Sequence, residues 1–254
     1  MTRMITIFCI VFLAAGYIAD VRAAPSLALD VANDSIDIST GFNGARLFVH
    51  GVIEGEGDLD NTEVAIVIKG PVRQTVIRRK EQVLGMWMNL SHAVFDDVFS
   101  FYDLATSAAI PSLASADILR REAVGLNYLN FQTSETDLDT STAATFREAL
   151  IRSKQGIGHY ALSEKDVKFI SDKFFKAVFN MPPSVPTGQY TIDGYLFQNG
   201  EIVDSQTITL QVAQVGLNAE IFQFAQDRAF LYGLMAICLA LVLGWSAHAF
   251  LRQD

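Results

Sequence analysis

A segment rich in carboxylates follows residue 53. Its side chains are of the type that bind calcium, which takes about six to eight oxygen ligands. The acidic residues are Glu54, Glu56, Asp58, Asp60 and Glu63. Their order does not match the EF-hand loop, and the glycines between them, Gly55 and Gly57, are equally typical of a turn. We therefore interpret the segment as a solvated loop between two strands and predict no metal site in it.

Other residue types that carry chemistry are present without the spacing that the chemistry needs. The three histidines outside the apolar ends are far apart in the chain: His50, His92 and His159. A zinc site would need three or four ligands, and no H-x-x-x-H pair occurs. The G-x-S-x-G elbow of α/β-hydrolases is absent, and Gly156–Gly158 is too short for a phosphate-binding loop. We predict no catalytic, cofactor-binding or metal-binding residue, and we expect a protein that is not an enzyme.

A basic cluster stands out in a chain whose net charge is −9. It consists of Arg73, Arg78, Arg79 and Lys80, and on a strand Arg78 and Lys80 would share one face with Arg79 on the other. The cluster could contact a small anion or an acidic partner. Alternatively, it could be a charged edge strand that discourages pairing with other chains. The overall negative charge disfavours nucleic acid and anionic lipid surfaces as partners.

Apolar runs at both ends of the chain predict where it resides. Residues 229–251 contain no formal charge, and a helix of this length spans about 34 Å, enough for the hydrocarbon core of a bilayer. Residues 1–23 combine Arg3, a short apolar run and small residues near Ala23, which is the pattern of a cleaved signal peptide. We predict export of residues 24–227, a transmembrane helix over 229–251 and a cytoplasmic tail over 252–254. The two cysteines lie in the apolar ends, so the exported domain has no disulfide.

The residues between the apolar ends predict a mostly β, α+β domain: an immunoglobulin-like antiparallel sandwich with a helical insertion. Alternation of apolar and polar residues predicts strands over 26–90 and over 174–213, the latter with a hairpin turn at Asn199-Gly200. Helical spacing predicts an insertion over 94–172, and residues 214–228 are expected to form a juxtamembrane helix. A separate helical domain beside an orphan hairpin is the alternative, which we disfavour because a lone hairpin is marginal in water.

More detailed expectations concern single elements. Within the insertion we predict helices over 95–106, 112–124, 140–155 and 163–172, the last from a capping-box pattern at its start. Residues 83–88 are predicted to be a strand, and 174–181 to be another. Trp87 and Phe42 are expected to lie in the core, because aromatic residues on strands usually fill a sandwich interior.

Several motifs resemble those of the alphaproteobacterial putative transmembrane protein family, an uncharacterised family with a signal peptide, an exported domain and one C-terminal span. The similarity covers nearly the whole mature chain. The motifs are GFNGARLFVHG at 41–51, IKGP at 68–71, WMN at 87–89, FY at 101–102, FFKA at 174–177, PPSVPTGQY at 182–190, YGL at 232–234 and GW at 244–245. The resemblance implies a single-pass protein of the bacterial inner membrane with its N-terminal domain in the periplasm. It also implies an accessory role beside a membrane partner such as a sulfite-exporter-type permease. It assigns no catalytic residue.

Two functions are therefore expected. The first is a non-enzymatic, membrane-anchored interaction or accessory module for a membrane-protein partner. The alternative is an exported binding protein for a small anion or sulfur compound. In that case the helical insertion would form one wall of a pocket, and Arg120, Arg121 or Arg147 would supply positive charge.

Overall fold

The computed structural model of the chain describes residues 24–55, 61–83, 85–133 and 139–251. The predicted signal peptide, most of the acidic loop and the predicted cytoplasmic tail lie outside the described residues. Within them, the predicted mostly β fold with a helical insertion is confirmed as a sandwich of two sheets, with one further pair of strands and a layer of helices.

The first sheet of the sandwich has four antiparallel strands. In spatial order they are β1 (Ser26–Val31), β3 (Ala45–Glu54), β10 (Phe174–Met181) and β9 (Lys168–Phe169). Along β10, every second residue from Phe175 to Met181 is buried, because alternate side chains of a strand point to opposite faces. One face of this sheet therefore enters the core, and the other faces solvent.

The second sheet has six strands and supplies the opposite wall of the core. In spatial order they are β2 (Ser35–Ile38), β12 (Glu201–Gln214), β11 (Gly188–Gln198), β4 (Thr62–Lys69), β7 (Tyr102–Thr106) and β8 (Lys165–Asp166). The pairs β2–β12 and β7–β8 at its edges are parallel, and the inner pairs are antiparallel. The predicted hairpin through Asn199-Gly200 is β11–β12, and the predicted strand over 174–181 is β10.

Strand β4 is buried on both faces. Val64, Ile66 and Ile68 lie in the core between the two sheets. Ala65 and Val67 lie in a second core on the other face of the six-stranded sheet. This explains why the strand reads as a continuous apolar run rather than an alternating one.

The second core is covered by short helices: α1 (Ile110–Leu113), α2 (Ala116–Arg121) and a 3₁₀ turn (Leu126–Tyr128). The longer helix α3 (Thr140–Gly156) completes the helical layer, and its buried residues lie in a separate cluster. Asp139 caps α3, since its carboxylate accepts a hydrogen bond from the Thr142 amide at 3.3 Å. The helix predicted over 140–155 is thus confirmed, whereas the one over 112–124 is broken by extended backbone at Ala114 and Ser115.

The prediction of a helix over 95–106 is wrong. These residues form the end of β6 (Met86–Phe99) and all of β7. The pairing register shifts by one residue between Val98 and Phe95, which marks a β-bulge at the two aspartates between them. The bulge brings Phe95 and Val98, three positions apart, onto the same buried face, and this spacing imitates a helix. The helical insertion therefore begins after residue 106 and not at 94.

The helix predicted over 163–172 is also wrong, because this segment forms β8 and β9. The amide of Val167, between the two strands, donates to the Thr106 carbonyl oxygen at 3.0 Å, and the Val167 side chain is buried in the main core. Pairing with β7 on one sheet and β10 on the other therefore prevails over the local capping pattern.

Candidate functional site

A two-stranded ribbon projects from the sandwich as a direct continuation of β4 and β7. It consists of β5 (Val72–Val83) and β6, and we call residues 72–99 the arm. At its root the ladder is unbroken: Gly70 donates to the Phe101 carbonyl oxygen at 2.8 Å, and Ser100 donates to the Pro71 carbonyl oxygen at 2.9 Å. The strand that the sequence predicts for the basic cluster is thus one half of a long hairpin that continues the ladder of the six-stranded sheet.

The arm leaves the sandwich at the end from which the chain continues to its C-terminal helix. Both β4 and β12 are antiparallel to β11, so they run in the same direction. Gly188 pairs with Val212 near the end of β12, and a Cβ atom on Gly188 would lie 2.7 Å from the Pro71 ring. The last residues of β12 and the first residues of the arm therefore lie close together at one end of the domain.

The stem of the arm is held by helix α3. Three buried residues of β6 and two of α3 form a small apolar cluster of their own: Ala93, Phe95, Val98, Phe146 and Leu150. The Arg79 guanidinium lies 5.9 Å from the centre of the Phe146 ring. At the root, Arg73 donates to the Thr187 carbonyl oxygen at 3.0 Å. The stem is thus a packed element, fixed to the sheet at its base and to a helix on one side.

The tip of the arm is apolar and exposed. Met86 is 63% and Trp87 68% solvent-accessible, and Val83 and Met88 are exposed as well. Val83 lies opposite Met86, whereas Trp87 is on the next pair of residues and so points to the other face. The tip therefore presents apolar side chains on both faces, an arrangement that packing against one flat surface cannot cover.

The expected core position of Trp87 is wrong, and so is the single strand predicted over 83–88. The chain turns between Val83 and Met86, with Gly85 at φ +82°, and Trp87 lies beyond the part of the arm that α3 covers. The apolar residues on either side of this glycine were the signal in the sequence for a hairpin. Phe42, by contrast, packs half-buried against the main core.

The predicted basic cluster belongs to this arm. Arg78, Arg79 and Lys80 are exposed and are separated from the tip by Glu81 and Gln82. Because consecutive residues of a strand alternate, both faces of β5 carry a cation. In a chain whose net charge is −9, the arm therefore places positive charge next to its apolar end.

The C-terminal part of the chain consists of two helices separated at Arg228. They are α4 (Leu217–Asp227) and α5 (Ala229–Leu251), and Arg228 itself is not helical, with φ −132° and ψ 49°. Ile221 and Phe222 on α4 are exposed. The predicted juxtamembrane helix is thus present over 217–227, although residue 214 still belongs to β12.

Helix α5 is long and apolar enough to cross a membrane. Over residues 229–248 its mean hydropathy is 2.0, and none of this stretch is buried against the rest of the protein. An apolar helix with no protein around it needs an apolar solvent, which a bilayer supplies.

A cavity of about 350 Å³ lies between the six-stranded sheet and the helical layer. Its lining includes Leu104 of β7, Ile151 and Gln155 of α3, and Glu164, whose carboxylate is the only formal charge among the lining residues that the structure describes. A pocket wall formed by the insertion was expected, and the cavity has one. Its electrostatics, however, favour a neutral or cationic occupant over an anion.

The arginines proposed as anion ligands lie elsewhere. Arg120 and Arg121 form exposed ion pairs with carboxylates on or next to α2. Arg147 donates to two carbonyl oxygens in and after the 3₁₀ turn, both at 3.0 Å, and stacks over the Phe131 ring. It therefore holds the helical layer together and does not point into the cavity.

Two charged pairs are buried at the strands around β7. Lys165 on β8 donates to the Asp103 carboxylate, and Lys69 lies 3.0 Å from Asp193. Burial raises the pKa of Asp103, and the neighbouring Lys165 opposes that rise. Because each carboxylate has its counter-charge in place and Asp193 also accepts from Thr207 at 2.7 Å, these pairs join elements of the fold.

The histidines remain apart in the folded domain. His50 stacks on Phe174 on the solvent-facing side of the four-stranded sheet, and His92 lies on the arm. The His159 ring nitrogen lies 2.8 Å from the Ser184 carbonyl oxygen, and burial lowers the pKa of this imidazole. In the described part of the chain, no three histidine, cysteine or acidic side chains are close enough together to hold a metal ion.

Comparison with known protein families gives a match. None of the curated proteins compared is similar to this chain. A family model described as "Putative transmembrane protein (Alph_Pro_TM)" matches residues 26–253, which is nearly the whole chain and includes the arm, both sheets and α5. The chain therefore belongs to this alphaproteobacterial transmembrane protein family.

Proposed function

We propose that the chain is a single-pass protein of the bacterial inner membrane whose β domain lies in the periplasm. There it would act as a non-enzymatic accessory module for a membrane-protein partner. The observation that carries this proposal is that the arm and α5 leave the domain at the same end. The exposed surface of the arm is therefore offered at the level of the membrane, where an integral membrane protein presents its periplasmic loops.

Tethering supports such a role physically. A domain held within a few nanometres of the bilayer has a high effective concentration toward other membrane proteins, so a contact of modest affinity suffices. A permease of the sulfite-exporter type is the partner class that we propose first, with the stem of the arm as the contact surface.

Site-specific photo-crosslinking in cells tests the proposal. A photoreactive residue in place of Val76, which is exposed on the stem, should yield an adduct with a membrane protein. Glu201 is the matched control, because it is exposed but lies at the β11–β12 turn, at the opposite end of the same sheet. A separate test of the orientation is protease added to spheroplasts, which should digest a β domain that lies in the periplasm. Adducts that are equally abundant from both sites, or absent from both at native expression, would contradict an arm-directed partner.

A second candidate is favoured by the cavity beneath the helical layer. A binding role for a small sulfur compound would use this space, and its one lining carboxylate makes an uncharged compound a better fit than an anion. A thermal-shift screen with sulfite, thiosulfate and neutral sulfur compounds tests this candidate. Stabilisation by a neutral compound would support it, and stabilisation by the anions alone would contradict the electrostatic argument.

A further inference from the structure

We propose that the tip of the arm, Val83 and residues 85–88, inserts into the interfacial region of the bilayer, so that the β domain touches the membrane at a second point besides α5. This inference rests on the proposed tethering of the domain and names the lipid bilayer as the partner of the tip. The stem remains the surface that is offered to a protein.

The dimensions of the molecule allow this contact. The twelve residues of β5 extend about 40 Å beyond the sandwich at roughly 3.3 Å per residue. From Val212, level with the root of the arm, the chain reaches Ala229 through four extended residues, the eleven residues of α4 and Arg228, which is at most about 38 Å. The tip is therefore long enough to reach the plane in which α5 enters the membrane.

Helix α4 brings that plane closer. The dihedral angles at Arg228 bend the chain between α4 and α5, while its amide still donates to the Phe224 carbonyl oxygen at 3.0 Å. Ile221 and Phe222 are exposed on α4. An amphipathic helix of this kind lies in the interface with its apolar face buried among the lipids. With α4 parallel to the membrane, the end of β12 lies near the headgroups and the arm needs to span less distance.

The composition of the tip matches the chemistry of the interface. Trp87 is the residue type that prefers the boundary between headgroups and acyl chains, and Met86 and Met88 are flexible apolar side chains. Because the tip is apolar on both faces, insertion among the lipids buries more of its apolar surface than contact with one flat protein surface would. Arg78 and Lys80 follow beyond Glu81, at the depth where the negative headgroup phosphates would lie. Each basic residue near an anionic surface strengthens binding, so this local positive charge opposes the repulsion expected from the net charge of −9.

Tryptophan fluorescence of the full chain in vesicles tests the insertion, because the chain has only two tryptophans, Trp87 and Trp245. The Trp245→Phe variant leaves Trp87 as the sole reporter. In vesicles of phosphatidylcholine and phosphatidylglycerol, we expect its emission to be blue-shifted and to lose most of its intensity when the acyl chains carry bromine near the headgroup. The Trp87→Phe variant leaves the reporter inside α5 and shows that the protein has been incorporated.

Charge and tip variants on the Trp245→Phe background sharpen the test. Arg78→Gln with Lys80→Gln should reduce the quenching by brominated lipid severalfold in anionic vesicles and have little effect in pure phosphatidylcholine. Arg120→Gln with Arg121→Gln removes the same charge from an exposed site on α2 and should leave the quenching unchanged. Met86→Ser with Met88→Ser should weaken the quenching in both lipid mixtures.

Emission of Trp87 typical of a water-exposed indole, with no quenching by brominated lipid in either mixture, would overturn the inference. A protein adduct formed in cells from a photoreactive residue at position 87 would then assign the tip to a protein partner. The vesicles contain no partner protein, so this result is independent of the crosslinking from Val76. Quenching of Trp87 by brominated lipid without a crosslink from position 76 would support the lipid contact and contradict the proposed protein partner.

Discussion

Truncation of Phe146 to alanine should loosen the arm and leave the sandwich intact. Phe146 is 2% exposed and packs with the stem residues Phe95 and Val98 in a cluster that is separate from the main core. Loss of a buried phenylalanine side chain costs about 3–5 kcal/mol. Because a two-stranded ribbon is marginal by itself, nearly all of this loss should appear as easier opening of the arm rather than as global unfolding.

Amide hydrogen exchange of the solubilised chain measures this effect residue by residue. At about 1.4 kcal/mol per factor of ten, protection over 75–79 and 91–95 should fall by roughly 10²- to 10³-fold, or to that of a freely opening amide. Protection of Ile66 and Ile192 in the six-stranded sheet should stay within a few-fold of the original. Trp87→Ala is the matched control, because it removes an aromatic ring from the exposed end of the same arm. If Phe146→Ala lowered protection equally in both regions, the arm would be part of the main cooperative unit and the reasoning would fail.

Two further predictions concern the sandwich and its edge. Lys165→Met should lower the free energy of unfolding by about 3–5 kcal/mol, because it leaves the Asp103 carboxylate, 4% exposed, without a counter-charge. Asp103→Asn should cost less, since the Lys165 side chain is 27% exposed and stays hydrated. Burial already raises the pKa of Asp103 and loss of Lys165 raises it further, so folding favours the protonated carboxyl. The loss of unfolding free energy caused by Lys165→Met should therefore become smaller as the pH falls toward the ordinary carboxyl range. A loss that does not change with pH in chemical denaturation would contradict this. Gly51→Val should destabilise the domain by about 1–3 kcal/mol, because a Cβ atom there would lie 2.2 Å from the buried Phe175 ring, whereas Gly41→Ala, with nothing within 4 Å, should be nearly neutral in the same assay.

The elements that could be predicted from the sequence are those whose local pattern and tertiary pairing agree. The β11–β12 hairpin has alternating strands on both sides of Asn199-Gly200, and α3 has both helical spacing and the capping residue Asp139. Helix α5 is fixed by length and composition alone. In each case the signal lies within the segment itself, so no knowledge of its neighbours is needed.

The elements that could not be predicted depend on contacts outside the segment itself. The bulge between Phe95 and Val98 is set by pairing with β5, and it turns a strand pattern into an apparent helix pattern. The segment 163–172 pairs with β7 and β10, strands that lie far from each other in the sequence. Burial of Trp87 was inferred from its residue type, but burial depends on what covers a side chain, and α3 covers only the stem of the arm.

The arm and the anchor differ in how firmly each is joined to the β domain. Hydrogen bonds of Gly70 and Ser100 continue the ladder from β4 into β5, and α3 packs against the stem, so the arm is fixed to the sandwich at its base and on one side. The path to α5 instead passes through Gly216, at φ +103°, which lies outside both β12 and α4, and through a bend at Arg228 that helical hydrogen bonds to Phe224 and from Tyr232 still cross. With α5 alone in the membrane, the orientation of the domain would be set only by this single-chain connection. A second contact at the tip would fix the tilt of the domain, because a rigid body held at two separated points can only rotate about the line between them. The stem of the arm would then meet a membrane-protein partner in one preferred orientation, which reduces the entropy lost when that partner binds.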